Sequence, residues 1–267
     1  MSTNANGTLY LVPTPLDFGC DTEQWAALDD ILPLGTVKVA SRLNHWVTEN
    51  AKSTRAFLKR VGQIVPLTHP IQSQDIRELP RALHKKGDFG TTQVNPEDVK
   101  RLLAPALTGQ DVGLVSEAGM PAVADPGALV VRMAHQLDIP VKVLVGPSSL
   151  IMALAASGMN GQNFCFVGYL PQSHPERVQR IRELESKSLQ TGQSQLFIET
   201  PFRNEALLAA LLSTLRPSTQ LAVSLGLTLH KSVDTVDKAH HSGPVTQWRQ
   251  RRPSADWSLP AVFAIGT

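Results

Sequence analysis

Aromatic side chains make up only 5% of the 267 residues, too few for an extended base-stacking surface of the single-strand-binding kind. Cysteine is scarcer still. Cys20 and Cys165 cannot build a disulfide framework, and neither has the close Cys or His neighbours that zinc ligation needs. A reduced cytosol is therefore the expected compartment. Neither sign of charge is in excess: Lys+Arg 25 against Asp+Glu 23 leaves +2, so any basic footprint for a nucleic acid must be local. No segment reaches the roughly 18 uninterrupted apolar residues of a spanning helix, and the opening MSTNANGTLYLV lacks the basic and apolar regions of an export signal. No G-x-G-x-x-G follows the first apolar run and no G-x-x-x-x-G-K-[ST] occurs, which disfavours nicotinamide enzymes and P-loop nucleotidases.

What is present is an alternation of short apolar runs with longer amphipathic stretches, the pattern of a sheet with crossover helices. Strands are predicted at Thr8 to Val12, Thr36 to Ala40, Asp111 to Ser116 and Val141 to Val145. Helices are predicted from an Asp21 cap through Trp25, Leu28, Ile31 and Leu32, over Glu49 to Arg60, from Pro96 to Leu103, and from Gly127 to Leu137. After Gly146-Pro147 the pattern restarts with a helix from Ser149 to Ala156. Strands follow at Asn163 to Val167, Gln195 to Glu199, Leu221 to Ser224 and Ala261 to Ile265, with helices over Pro175 to Ser188 and Arg203 to Leu215. The reading is two α/β domains, residues 1–146 and 147–267.

Three loops stand out. Val12-Pro13-Thr14-Pro15 puts two prolines at the end of the first strand, which stiffens the loop. Ser116-Glu117-Ala118-Gly119-Met120-Pro121, leading to Asp125-Pro126-Gly127, follows the Asp111 strand, and Val145-Gly146-Pro147-Ser148-Ser149 follows the next. Turns use such residues anyway. Their coincidence at three carboxyl ends of one sheet is where open α/β folds bind ligands, and small residues let a ligand approach the backbone.

These segments carry a resemblance. Leu11 to Pro15, Glu49-Asn50, Leu114 to Pro121 with Asp125-Pro126-Gly127, Gly146-Pro147, Phe164 to Pro171 and Phe197-Ile198-Glu199-Thr200 with Arg203 keep, over nearly the whole chain, the motif order of the tetrapyrrole methylase superfamily. The branch it resembles is that of the ribosomal small-subunit RNA 2′-O-ribose methyltransferases. More narrowly, VGPSS, SEAGMPAVADPG, ASGMNGQNF and IETPFRN are similar to a divergent sister group of predicted S-adenosylmethionine-dependent methyltransferases. The resemblance implies two α/β domains with S-adenosylmethionine between them, usually in a homodimer (the class III methyltransferase arrangement). Carried over residue by residue, it implies cofactor contacts at Pro13, Ser116, Glu117, Ala118, Gly119, Asp125, Ser148 and Ser149, with Ile198 or Glu199 and the Pro260-Ala261 pair enclosing the adenine.

Displacement at a sulfonium methyl needs alignment above all, and a hydroxyl acceptor also needs a base. The candidates are Asp17, in the loop after the first strand, and Glu49, which matches the acid opening the family's E-D-T-R motif, with Asn50 and Lys52 where that motif has Asp and Arg. Three basic groups could meet phosphate: Lys52, Arg55, Lys59 and Arg60; Arg177, Arg180, Arg182 and Lys187; and Arg249, Arg251 and Arg252. The first has no acids among its basic residues and is the expected substrate contact through Lys52, Arg55 and Lys59. His240-His241 has no third ligand at a recognisable spacing. The chain departs from the RNA branch at Ser224-Leu225-Gly226-Leu227-Thr228-Leu229, which replaces a charged stretch, and at Leu16-Asp17-Phe18. The expected function is methylation of RNA at a ribose 2′-hydroxyl. The alternatives are a small-molecule acceptor such as a tetrapyrrole-like ring, and a cofactor-binding module that has lost catalysis.

Overall fold

The computed structural model describes residues 6–80, 95–229 and 239–267. The chain divides into two compact units at Ser148/Ser149, with Cys20–Trp25 grouping with the second. The first unit carries strands β1 (Leu9–Val12), β2 (His45–Thr48), β3 (Asp75–Glu78), β4 (Val112–Val115) and β5 (Val141–Val143). They form one all-parallel sheet in the order β3-β2-β4-β1-β5.

Parallel sheets are covered on both faces, and the central strands read accordingly. Along β1 and β4 every residue is buried. Alternate side chains feed two different cores: Leu9, Leu11, Val47 and Leu114 enter one, and Tyr10, Val12, Trp46 and Val115 the other. Gly113 is glycine because the Trp46 ring occupies the space beside it: a Cβ there would lie 2.6 Å from two ring atoms. The indole nitrogen, buried with the ring, donates to Gln74 Oε1 at 3.0 Å.

Three sequence expectations change in this unit, and two strands were unforeseen. Thr36 to Ala40 is not a strand but the middle of a helix, α2 (Leu34–Arg42), following the single turn α1 (Leu28–Ile31). Its β-branched alternation is outweighed by a helical spacing of buried positions, Thr36, Val37, Ala40 and Ser41, behind a Pro33 start. The helix expected from Asp21 is broken: Asp21 caps only a short 3₁₀ turn, accepting from the Glu23 amide at 3.1 Å, before the chain becomes extended at Trp25. The helix expected over Glu49 to Arg60 is α3 (Ala51–Ile64). Asn50 is its cap, accepting from the Lys52 and Ser53 amides, which leaves Glu49 outside the helix at the end of β2. Strands β2 and β3 carried no clear signal. Helices α4 (Pro96–Leu102) and α6 (Ala128–Gln136) lie near their expected positions, with the short α5 (Ala104–Leu107) between them.

The second unit has a mixed sheet of β6 (Phe164–Tyr169), β7 (Ser194–Glu199), β8 (Gln220–Leu225), β9 (His240–Pro244) and β10 (Ala261–Gly266), in the order β6-β7-β10-β8-β9. Only β6 and β7 run parallel. Helices α7 (Ser149–Ser157), α8 (His174–Thr191), α9 (Asn204–Thr214) and α10 (Val245–Gln250) accompany it. Phe197 and Phe263 stack with centroids 5.8 Å apart inside a core of Ile181, Leu184, Leu207, Leu211 and Trp248. Among the described residues no helix is long and apolar enough to cross a membrane.

Two glycine substitutions should move stability in opposite directions. Gly113→Ala drives a methyl into the Trp46 ring and should cost about 1–3 kcal/mol. Gly35→Ala, in α2 with nothing within 4 Å of the new carbon, should gain about 0.5–1 kcal/mol by restricting the unfolded chain. Urea denaturation of both variants checks the pair.

Candidate functional site

The order β3-β2-β4-β1-β5 sends the chain from β1 past β4 to reach β2, and from β4 past β1 to reach β5. The chain thus leaves the adjacent carboxyl ends of β1 and β4 in opposite directions, the switch point at which open α/β sheets form a crevice. Here the two loops grip each other. Thr14 and Gly119 exchange backbone hydrogen bonds, 3.0 Å from the Thr14 amide and 3.1 Å from the Gly119 amide, and the Thr14 hydroxyl donates to the Ser116 carbonyl at 3.2 Å.

The third loop closes on the same point. Gly146 lies against Pro13 so closely that a Cβ would overlap the proline ring. Gly119 has φ +76°, and a Cβ there would lie 2.8 Å from Leu16 Cδ2 and 3.6 Å from the Pro147 carbonyl. Pro13, Gly119 and Pro147, from three strand ends, therefore form one rigid patch of backbone. Thr14 and Leu16 complete it, and neither was among the expected cofactor contacts. Ser116, 3% exposed, has a hydroxyl with no hydrogen-bond partner among the described residues. A buried polar atom left unpaired in this way is costly unless a ligand meets it.

Around this patch stand three carboxyl groups. In register, Thr48 of β2 lies opposite Val115 of β4, so Glu49 and Ser116-Glu117 leave the sheet side by side. Asp125 comes from the segment leading into α6. That segment is unusual: Ala122 and Ala124 have φ +65° and +63°, and Gly127 has φ +131°. Left-handed alanines store strain of order 1–3 kcal/mol each. Burial pushes the Asp125 carboxyl up to about 7, and the neighbouring Glu49 and Glu117 charges push in the same direction. Among the described residues no group of His, Cys, Asp and Glu is arranged to hold a metal ion.

The remaining expected residues fall into distinct places. Asp17, 5% exposed, is gripped by Arg60 at 2.8 Å, and Arg60 also donates to the Ala26 carbonyl at 3.1 Å. The pair holds Asp17 in its loop, and Arg60, contrary to expectation, is not part of a solvent-facing basic surface. Lys52, Arg55 and Lys59 are exposed on α3. In the other two basic groups the arginines are largely committed. Buried Arg177 donates to the Pro171 and Gln172 carbonyls, Arg180 pairs with Glu183, and Arg249 holds the Leu212 and Leu215 carbonyls at the end of α9. Arg252 pairs with Glu205 and lies over the Trp257 ring.

Ser148 ends the first unit and Ser149 opens α7 in the second. Within the second unit, Glu199 at the end of β7 and Leu225 at the end of β8 both pair with Ala261 at the start of β10, so Ile198, Glu199, Pro260 and Ala261 share one sheet edge. Glu199 Oε1 is taken up by Arg203 at 2.7 Å and the Thr200 amide at 2.7 Å. The Leu225-Gly226-Leu227 segment beside it is packed and apolar. Both leucines are buried, and Gly226, at φ +54°, donates to the Pro260 carbonyl at 3.1 Å.

The chain is similar to proteins named ribosomal RNA small subunit methyltransferase I. The one from Coprothermobacter proteolyticus is 31% identical over 84% of this chain and 87% of its own length. The one from Micromonospora olivasterospora is 30% identical over 79% of this chain, which spans only 56% of that protein. Among solved structures, a conserved hypothetical protein from Aeropyrum pernix K1 matches with TM-score 0.57 and 15% identity, covering 98% of this chain and 85% of that one, a likeness of fold alone. Residues 48–230, running from the end of β2 through the carboxyl cluster and the second-unit sheet edge, match the family described as Tetrapyrrole (Corrin/Porphyrin) Methylases. With its two α/β units, its locked strand-end loops and that match over most of its length, the chain belongs to the tetrapyrrole methylase family.

Proposed function

We propose that the protein is an S-adenosylmethionine-dependent methyltransferase acting on RNA, with a ribose 2′-hydroxyl as acceptor. The observation that carries this reading is the edge of the first sheet, where three backbone-rich loops lock together beside the unpaired, buried Ser116 hydroxyl. Such a cradle suits a ligand held by main-chain groups, and family membership supports the cofactor. The names of the relatives support RNA.

The residues of this unit that would hold the cofactor are Pro13, Ser116, Glu117, Ala118, Gly119 and Asp125, with Ser148. Ser149, Ile198, Glu199, Pro260 and Ala261, in the second unit, are proposed on the resemblance. When bound, S-adenosylmethionine supplies an electrophilic methyl on a sulfonium. The chain's own contribution is then positional, and alignment of this kind accounts for on the order of 7–11 kcal/mol of a barrier. The locked loops fix the cradle. Lys52, Arg55 and Lys59 offer charge to an RNA backbone from α3. Glu49, at the end of β2, remains the candidate to take the hydroxyl proton. We further propose a cytoplasmic homodimer, on the resemblance.

One observation favours a small-molecule acceptor instead. The charged stretch of the RNA branch is replaced here by the buried Leu225-Gly226-Leu227 packing, which removes polar contacts from that edge. Incubation with methyl-labelled cofactor and deproteinised total RNA separates the two. Label in RNA supports the proposal, and label confined to small solutes overturns it.

Gly119→Val should weaken S-adenosylmethionine binding at least about tenfold, because the new side chain needs a disfavoured φ and meets Leu16. Calorimetry reads the affinity and circular dichroism the retained fold. Replacing Lys52, Arg55 and Lys59 together by Glu should leave cofactor affinity unchanged. It should also lower RNA affinity and flatten its salt dependence by about one unit of slope per lost phosphate contact, as filter binding across a salt series would show.

A further inference from the structure

The carboxyl cluster does more than the proposed alignment requires. Transfer of a sulfonium methyl calls for at most one base, yet Glu49, Glu117 and Asp125 stand close enough for the first two to act on the third. A cluster of acids alone does not make a site. Here it is joined by Ser116, whose buried hydroxyl lacks a partner among the described residues.

Strand alternation says where that hydroxyl points. Ser116 lies two residues beyond Leu114, and Glu49 two beyond Val47. Leu114 and Val47 belong to the same core, so the pleat continued one residue past Val115 and Thr48 carries Ser116 and Glu49 to one face. The segment carrying Asp125 rides over that face: a Cβ on Gly127 would lie 3.1 Å from Leu114 Cδ2 and 3.6 Å from Ala122 Cβ. The orphaned hydroxyl, Glu49 and the Asp125 segment thus lie toward one face of the first unit's sheet, with Glu117 near enough for its charge to act on Asp125, and a cation bearing hydrogen-bonding groups would satisfy both hydroxyl and charge there.

Resting on the methyltransferase reading, we propose that Glu49, Glu117 and Asp125 form a charge-selective seat that holds the sulfonium form of the cofactor in preference to the neutral thioether left after transfer. The two ligands differ by one methyl and one positive charge at sulfur. Among the described residues no group of His, Cys, Asp and Glu is arranged to hold a metal ion, and an organic cation with its own hydrogen-bonding groups would meet the Ser116 hydroxyl as well as the charge. The seat would retain substrate and release product by electrostatics alone.

A proton is linked to this choice. The Asp125 carboxyl, at about 7 with Glu49 and Glu117 facing it, is mostly protonated at pH 6 and mostly ionised at pH 8. An arriving cation favours the ionised form. Binding of S-adenosylmethionine should therefore release close to one proton at pH 6 and almost none at pH 8, and its affinity should rise about tenfold between them.

Calorimetry on the full chain at pH 6, 7 and 8, in buffers of different ionisation enthalpy, tests this with S-adenosylmethionine and S-adenosylhomocysteine. The expected result is a rising affinity with proton release for the first ligand and a flat profile for the second. Asp125→Asn should flatten the first profile, and Glu117→Gln should move its inflection below pH 7. If S-adenosylmethionine binds with no pH dependence and no proton release, or if S-adenosylhomocysteine shows the same slope, the seat is wrong and the methyltransferase reading stands. If neither ligand binds at millimolar concentration, both fall. The wild-type comparison decides even where a variant fails to fold.

Discussion

The paired hydrogen bonds between Thr14 and Gly119 are the constraint on which the first unit's working edge depends. A parallel sheet ends in loops that leave their strands independently, and nothing in the sheet ladder holds those loops to each other. The Thr14–Gly119 bridge does so at the switch point, and the fits of Pro13 against Gly146 and of Leu16 against Gly119 follow from it. Pro13 and Gly146 are complementary, the proline ring giving a rigid convex surface and the glycine the hollow that receives it, while at Gly119 the hollow receives Leu16.

The same logic separates anchors from groups left to act. Asp17 and Glu199 are both buried acids at strand ends, and each is matched by an arginine, Arg60 and Arg203. A buried carboxylate paired this way holds a loop and is costly to disturb. Asp125 is treated differently: burial, and then the charges of Glu49 and Glu117, raise its proton affinity. The three basic groups divide likewise. Arg177 and Arg249 cap carbonyls that end chain segments, whereas Lys52, Arg55 and Lys59 are exposed along α3.

Much of this was legible in the residues. The β1 and β4 runs, the stiff loops after them, and helices such as Pro96–Leu102 follow from local signals that tertiary structure leaves unopposed. Thr36 to Ala40 was misleading because Thr-Val-Lys-Val-Ala satisfies both the strand and the helix period over so short a span, and Pro33 with the buried spacing decides it. Asp75–Glu78 is a half-exposed edge strand without an apolar run, and His240–Pro244 is read poorly because His, Ser, Gly and Pro carry no strand preference. The roles of Asp17 and Arg177 were beyond local reading altogether. Each is set by a partner outside its own motif: Arg60 on α3 for Asp17, and for Arg177 the Pro171 and Gln172 carbonyls just before its helix.

The site also concentrates features that occur singly elsewhere in the unit, at the unpaired Asn44 Oδ1 and the positive φ of Asp138. Within the dozen residues from Ser116 to Gly127 lie an unpaired buried hydroxyl, two left-handed alanines and a carboxyl group crowded by like charge. Each is destabilising by itself, and elsewhere in the first sheet the same physics is obeyed closely: Trp46 finds Gln74, and Thr48 finds Thr54 at 2.7 Å. Local rules broken together in one place, against a background where they are broken only singly, mark a surface shaped for something other than stability. A cation with donors and acceptors of its own would relieve the hydroxyl and the carboxyl repulsion in one event, so binding energy would be supplied by the very defects that the folded chain carries.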